Sequence, residues 1–337
     1  MVQGGTRRNP LDQSQKGSML WPAIVIVLAV LAIVPAAEGQ ARPPRECRVR
    51  VKAADNPRTS GRLLADAIEA IDEDGPCRQV LVEIGEGRFR LNEPIDLPEF
   101  VDIDGAGRRD TTIVSEEEVF VLVPPTDDYR FRFLRVVSQT GGRPFDWAIP
   151  GRLVDVIVVG GLHDDGYSDK RIMVDVSVVE RSGPEASVGF LGGEAILRDV
   201  NLHGPNLSFE DVRGELDRVH VSAIDRDGTR EIGLSPLHSE IRISDSSIEA
   251  EGAPVNIGIR AYSDLGASGT LRVDHSTISG STNSIWSGAD YSSDSTQENV
   301  IKITRLVGGP VRDDQGSITK CFRVYDENEI FYRNTCP

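Results

Sequence analysis

The chain is predicted to be an all-β coil of stacked strands, a β-solenoid, and three observations carry that expectation. A short frame, apolar-x-polar-x-x-apolar, recurs six times: Leu153, Asp155, Val158; Met173, Asp175, Val178; Leu197, Asp199, Leu202; Leu216, Arg218, Val221; Ile243, Asp245, Ile248; Val273, His275, Ile278. Its polar positions lie 20, 24, 19, 27 and 30 residues apart, about one coil of a solenoid whose unit is a strand run, not a helix pair. With 33 glycines but only 6% aromatic residues, the interior is expected to be stacked Val, Ile and Leu, which suit strands. A leucine-rich repeat has a similar period, but its L-x-x-L-x-L pattern with Asn is not sustained here.

The elements follow in order. Residues 19–37 are apolar and uncharged, preceded by Arg7, Arg8 and Lys16 and followed by the small residues Ala37, Gly39 and Ala41. That is the order of a secretory signal, with cleavage after Gly39 or Ala41; the alternative is an uncleaved membrane anchor through residues 19–37. The division expected is therefore 1–39 signal or anchor, 40–58 linker and extension, 59–320 coil with its cap, and 321–337 a closed tail.

Between Thr59 and Gly75, residues Leu63, Leu64, Ala67, Ile68 and Ile71 have helical spacing, which predicts an amphipathic helix starting near Thr59 or Ser60 and stopping at Gly75. Short strands punctuated by Gly follow, at 80–84, 95–97, 101–103 and 111–113, with the turn 85–89 (GEGRF) between the first two. The order helix, strand, G-x-G-x-aromatic, strand, φ-x-φ-x-G-x-G (Val101 to Gly107), then Thr111-Thr112-Ile113 resembles the opening of the pectin-lyase-like right-handed parallel β-helix proteins, pectin methylesterases included. The likeness covers residues 61–114 closely and the later coils by periodicity. It implies that the helix caps one open end of the coil, which would otherwise expose a strand edge.

The repeated polar position, Asp155, Asp175, Asp199, Arg218, Asp245 and His275 with Arg305 as a further member, is expected at a turn between two sheets, superposed in a column. Arg218 lies between two aspartates, an attractive arrangement at that range. Asp155, Asp175 and Asp199 lack such relief, so one of them should turn to solvent, have a raised pKa, or be bridged by a cation.

Four cysteines permit three pairings; proximity favours Cys47 with Cys77 and Cys321 with Cys336 in an oxidising compartment. A zinc site is the alternative, but no C-x-x-C pair or neighbouring histidine supports it.

Net charge is −16, and −17 without residues 1–39. Such a chain repels phosphate backbones, and the sequence contains no basic run, so nucleic acid is not an expected partner. The carbohydrate-contact candidates are Trp147, Trp286 and Tyr291, aromatics in polar, Gly-containing segments. Calcium is the one cofactor considered, at Asp164 and Asp165 or at Asp225 and Asp227, where short acidic turns supply part of a ligand set; a plain surface turn is the competing reading. The Q-D-T-like and D-F-I-F-G-like contexts of pectin methylesterases and the N-T-D, D-D and G-H-G set of polygalacturonases are missing, with His163-Asp164-Asp165-Gly166 the nearest fragment, so enzyme activity stays open. The reading is an exported, secreted or periplasmic protein binding an envelope or extracellular polysaccharide, touching membrane only through an uncleaved N-terminal segment. The alternatives are a lyase, esterase or hydrolase of acidic polysaccharide, and a structural adhesin or spacer.

Overall fold

The computed structural model describes residues 46–337 except 73–74, 76, 78, 117, 123–128, 141, 147–148, 164–169, 180–186, 205, 225–228 and 291–293. Its described strands form a continuous 22-stranded sheet that bends round two faces of the coil, a 7-stranded sheet and a 3-stranded sheet. Every strand pairs in parallel with its equivalent one coil away, as Glu194–Arg198 does with Arg213–Asp217 and that strand with Glu240–Ser244. The one exception among the described strands is the terminal hairpin of Val324–Tyr325 and Phe331–Tyr332, which is antiparallel. This is the right-handed parallel β-helix, with an α-helix at one end.

The six sequence frames occupy equivalent places in successive coils. All twelve of their apolar residues are at most 2% exposed, because alternate residues of each strand point inward and like positions stack along the axis. Register places the frame's polar residue at a corner, between two strands or, for Asp155, within the strand Arg152–Val159, and every one is left-handed: φ is 53° at Asp155, 55° at Asp175, 53° at Asp199, 53° at Arg218, 49° at Asp245 and 46° at His275. Aspartate is among the residues that tolerate this backbone best, which explains its frequency there. The column extends beyond the frames to Phe133 before and Ile303 and Arg323 after. Arg305 is not a member: it pairs with Thr277 inside a strand, two positions past the corner. An unfavourable β-branched residue, Ile303, holds the place instead, and so hides the repeat from the sequence.

Arginines supply the relief that the three aspartates need. Arg108, on the turn after Val101–Gly105, reaches both Asp155 at 3.1 Å and Asp175 at 3.0 Å, while both carboxylate oxygens of Asp199 accept from Arg218 at 2.6 and 2.9 Å. The bridging cation is thus the chain's own guanidinium. The hydrogen bond from Arg218 lowers the Asp199 pKa instead of raising it.

The capping helix spans Pro57–Glu69, earlier than its apolar spacing predicts. Asn56 caps it by accepting the Arg58 N–H at 2.9 Å, and Pro57 suits the first helical position, so the start signal was the Asn-Pro pair. The helix ends at Glu69 with Ala70 as its C-cap, short of the expected stop at Gly75. Leu64 and Ile68 are buried over the first coil, and Gly61 lies so close to it that a Cβ would sit 2.0 Å from the Arg90 carbonyl oxygen. The segment read as a linker opens the coil: Glu46–Val51 pairs with Gln79–Ile84. Both disulfides form as proximity suggests, Cys47 with Cys77 and Cys321 with Cys336.

The interior departs from a uniform aliphatic stack. Phe89, Phe120, Phe131, Phe145, Phe190 and Phe209 are buried in the earlier coils. Polar residues Ser263, Ser287, Gln297 and Asn299 fill the later ones. The aromatic stacks are short, Phe120 in register with Phe145 and Phe190 with Phe209, too short for periodicity to reveal them.

Candidate functional site

Parallel stacking turns sequence positions some 20 to 30 residues apart into neighbours, and on the outer face of the long sheet it builds a charged track. Register runs Arg130 to Arg152, Ile172, Ile196, Glu215, Arg242, Arg272 and Val300, one residue per coil. Neighbouring members are about 4.8 Å apart, the interstrand spacing. Two grooves lie on this track.

The first, about 520 Å³, is lined by Gln79, Phe100, Asp102, Arg130, Arg152 and Lys170 among others. Asp102 is only 2% exposed, yet its carboxylate is held at 2.7 Å by Arg130 and at 2.9 Å by the Gln79 amide. Burial pushes its pKa up, opposed by the Arg130 charge, and the net direction is upward. Burial leads that shift, with the nearby Asp104 charge adding to it, whereas the guanidinium and the amide donor both favour the ionised carboxylate. The Arg130 Nε is buried with no hydrogen-bond partner. Tyr129 is spent structurally, its hydroxyl donating to the Leu97 carbonyl at 3.0 Å.

The second groove, about 490 Å³, gathers Arg198, Arg218, Arg242, Arg272 and Lys302 against Glu215, Asp217 and Asp274. The sequence shows no basic run, but the fold makes a basic patch from residues on five coils. That corrects the inference from the linear sequence, where charges one coil apart look dispersed.

Of the residues singled out by sequence, Trp147, Tyr291, Asp164, Asp165, Asp225 and Asp227 lie outside the described residues. Among the described residues, no three His, Cys, Asp or Glu side chains group as metal ligands. Trp286 sits on the 7-stranded sheet, on strand Asn283–Ala289, and not in either groove. His275 pairs with its neighbour Asp274 at 3.0 Å at the corner. Sequence reasoning missed Asp102, whose V-D-I-D-G-A-G setting was explained by its glycines. No local signal marks it, because Gln79 and Arg130 lie 23 and 28 residues away.

Fold and site together define a parallel β-helix protein with a charged track along one sheet. No family model matches the chain, and no curated protein matches its sequence. Among solved structures it is similar to the A-module of a mannuronan C-5 epimerase from Azotobacter vinelandii, at TM-score 0.46 and 14% identity over 80% of this chain and 88% of that one. It is also similar to a pectin methylesterase from Erwinia chrysanthemi, at TM-score 0.41 and 12% identity over 86% of this chain and 91% of that one.

Proposed function

We propose that the protein is exported and binds an acidic polysaccharide along the track, centred on the groove of Asp102, Arg130, Arg152 and Lys170. The observation that carries this is the placing of Arg130 and Arg152 in register on adjacent coils, with Lys170 beside them, on a chain whose net charge is −16. Two cations about 4.8 Å apart, Arg130 and Arg152, suit neighbouring carboxylates of a polymer that lies across the strands. Guanidinium groups recognise such carboxylates through paired hydrogen bonds. Two disulfides fit an oxidising compartment outside the cytoplasm. Among the described residues no helix is long and apolar enough to cross a membrane, and residues 19–37 lie outside them.

A second reading, turnover of the same polymer, is favoured by Asp102 alone: a buried carboxyl with raised pKa in a groove is a candidate general acid or base. One experiment tests both. The full chain is offered acidic and neutral polysaccharides, with and without calcium, and both retention and product are measured. Retention of acidic polymers that is lost in Arg130→Gln and Arg152→Gln supports the binding site. Product formation that stops in Asp102→Asn, with retention kept, makes the protein an enzyme. Equal failure to retain any polymer removes the polysaccharide reading and leaves a spacer or adhesin.

A further inference from the structure

The 7-stranded sheet carries a second positive site that the track does not use. Register stacks Arg260, Trp286 and Arg312 on three consecutive coils, and Arg230 begins the strand before them. All three guanidinium carbons lie over one indole ring: Arg312 at 4.7 Å from its centroid, Arg260 at 5.4 Å and Arg230 at 5.6 Å.

Three like charges gathered round one ring repel one another, and the indole quadrupole offsets only part of that. Among the described residues a single carboxylate serves the cluster. Asp314 accepts the Trp286 Nε1–H at 2.7 Å and the Arg312 Nε–H at 3.0 Å, and the indole hydrogen bond is the main reason its pKa is lowered. Neighbouring Asp313 is turned away, its oxygens accepting the Thr319 N–H at 3.0 Å and hydroxyl at 2.6 Å. Among the described residues neither Arg230 nor Arg260 has a carboxylate partner. The cluster therefore carries an excess of two positive charges on a strongly acidic chain. Its unused guanidinium N–H groups sit beside a ring whose face they already cover, so a sugar ring could stack there only by displacing one of them.

We propose that Arg230, Arg260 and Arg312 around Trp286 form a binding site for a doubly charged tetrahedral oxyanion, either free phosphate or sulfate or a phosphate monoester on a sugar. The excess charge matches a dianion, and guanidinium forks are suited to its oxygens. The site is on a different sheet from the polysaccharide track and stands independently of that reading.

The test uses the full chain labelled with 15N-tryptophan, following the indole N–H signal of Trp286, assigned through Trp286→Phe. Inorganic phosphate, inorganic sulfate and a hexose 6-phosphate are titrated at constant ionic strength, with chloride as control. The expected result is a saturable shift of that signal by the dianions and not by chloride, with affinity about tenfold weaker in Arg260→Gln and in Arg230→Gln. Tighter binding of the hexose phosphate than of inorganic phosphate assigns the site to a phosphorylated glycan; equal binding assigns it to the free ion. The proposal is overturned if chloride shifts the signal as the dianions do, if no dianion saturates it, or if the arginine variants, shown folded by unchanged melting, bind as the parent does.

Discussion

The earlier and later coils share one backbone geometry but fill it in opposite ways. In the earlier coils Phe120, Phe131 and Phe145 meet with ring centroids 5.0 to 5.9 Å apart, and Phe190 stacks on Phe209 at 5.2 Å. In the later coils a buried chain of hydrogen bonds takes their place. The Ser263 hydroxyl donates to Gln297 at 3.0 Å, the Gln297 amide to Asn299 at 2.9 Å, and the Asn299 amide to Ser287 and Thr319, both at 2.8 Å. Gly269 makes room for this network, since a Cβ there would lie 2.2 Å from the Gln297 Oε1. The corner-following column changes in the same sense: Val156, Val176, Val200 and Val219 give way to Ser246, Ser276 and Thr304. Each of those hydroxyls donates back to a carbonyl two residues earlier, and Ser246 and Ser276 also accept an N–H from the coil before. A coil interior can thus be closed by area or by mutual satisfaction, and the two respond differently to damage.

The largest effect is expected where the filling is aromatic. Phe131 is fully buried between two other rings, so Phe131→Ala should cost about 3–5 kcal/mol in chemical denaturation, through lost transfer energy plus the cavity left behind. A loss near that of an exposed position would mean that the earlier coils collapse around the gap.

In the later coils the signature is non-additivity. Asn299→Ala strands donors and acceptors on Gln297, Ser287 and Thr319 and should cost about 2–3 kcal/mol. Replacing Gln297 and Asn299 together by Leu should cost less than the sum of the two single replacements, since removing both partners leaves fewer orphans. Additive losses in that double-mutant cycle would show that the network is only packing.

The corner column offers a smaller gain. Ile303 holds a φ of 45°, and a β-branched side chain is strained there. Ile303→Asn should raise stability by about 1 kcal/mol, as judged by the denaturation midpoint. Asp245→Ile, at the matching corner two coils earlier, should lower it by a comparable amount; two neutral outcomes would remove backbone strain from the account.

The smallest effect is electrostatic. Because the Asp199 pKa is lowered by Arg218 from its usual 3.8, the folded state gives up this proton more readily than the unfolded state. Its stabilising contribution is present above that usual value and is lost as pH falls through the lowered one. Arg218→Gln should flatten the fall in melting temperature below about pH 4. An unchanged acid profile would show that solvent screens this exposed pair completely.

What was legible in the sequence was whatever repeats or lies close together. Inward stacks show as paired apolar residues around each corner, and the corner itself shows as Asp, because few side chains accept a left-handed backbone. The disulfides were legible from spacing, and the cap helix from its apolar face, though its start needed the Asn56-Pro57 pair. Features that occur once per molecule were not legible. Asp102, Gln79 and Arg130 converge only because three coils stack, and the basic patch around Arg242 and Arg272 is dispersed in the chain.

The sequence by itself determined the architecture, since a period of one coil and a periodic inward face leave few alternatives for a chain that must pair its strands and bury that face. Only the tertiary structure decided which charges meet. Parallel stacking at about 4.8 Å converts separations of 19 to 30 residues into contact, and small changes in loop length choose the partners. That is why Arg108 came to bridge Asp155 and Asp175, and why three arginines came to surround Trp286.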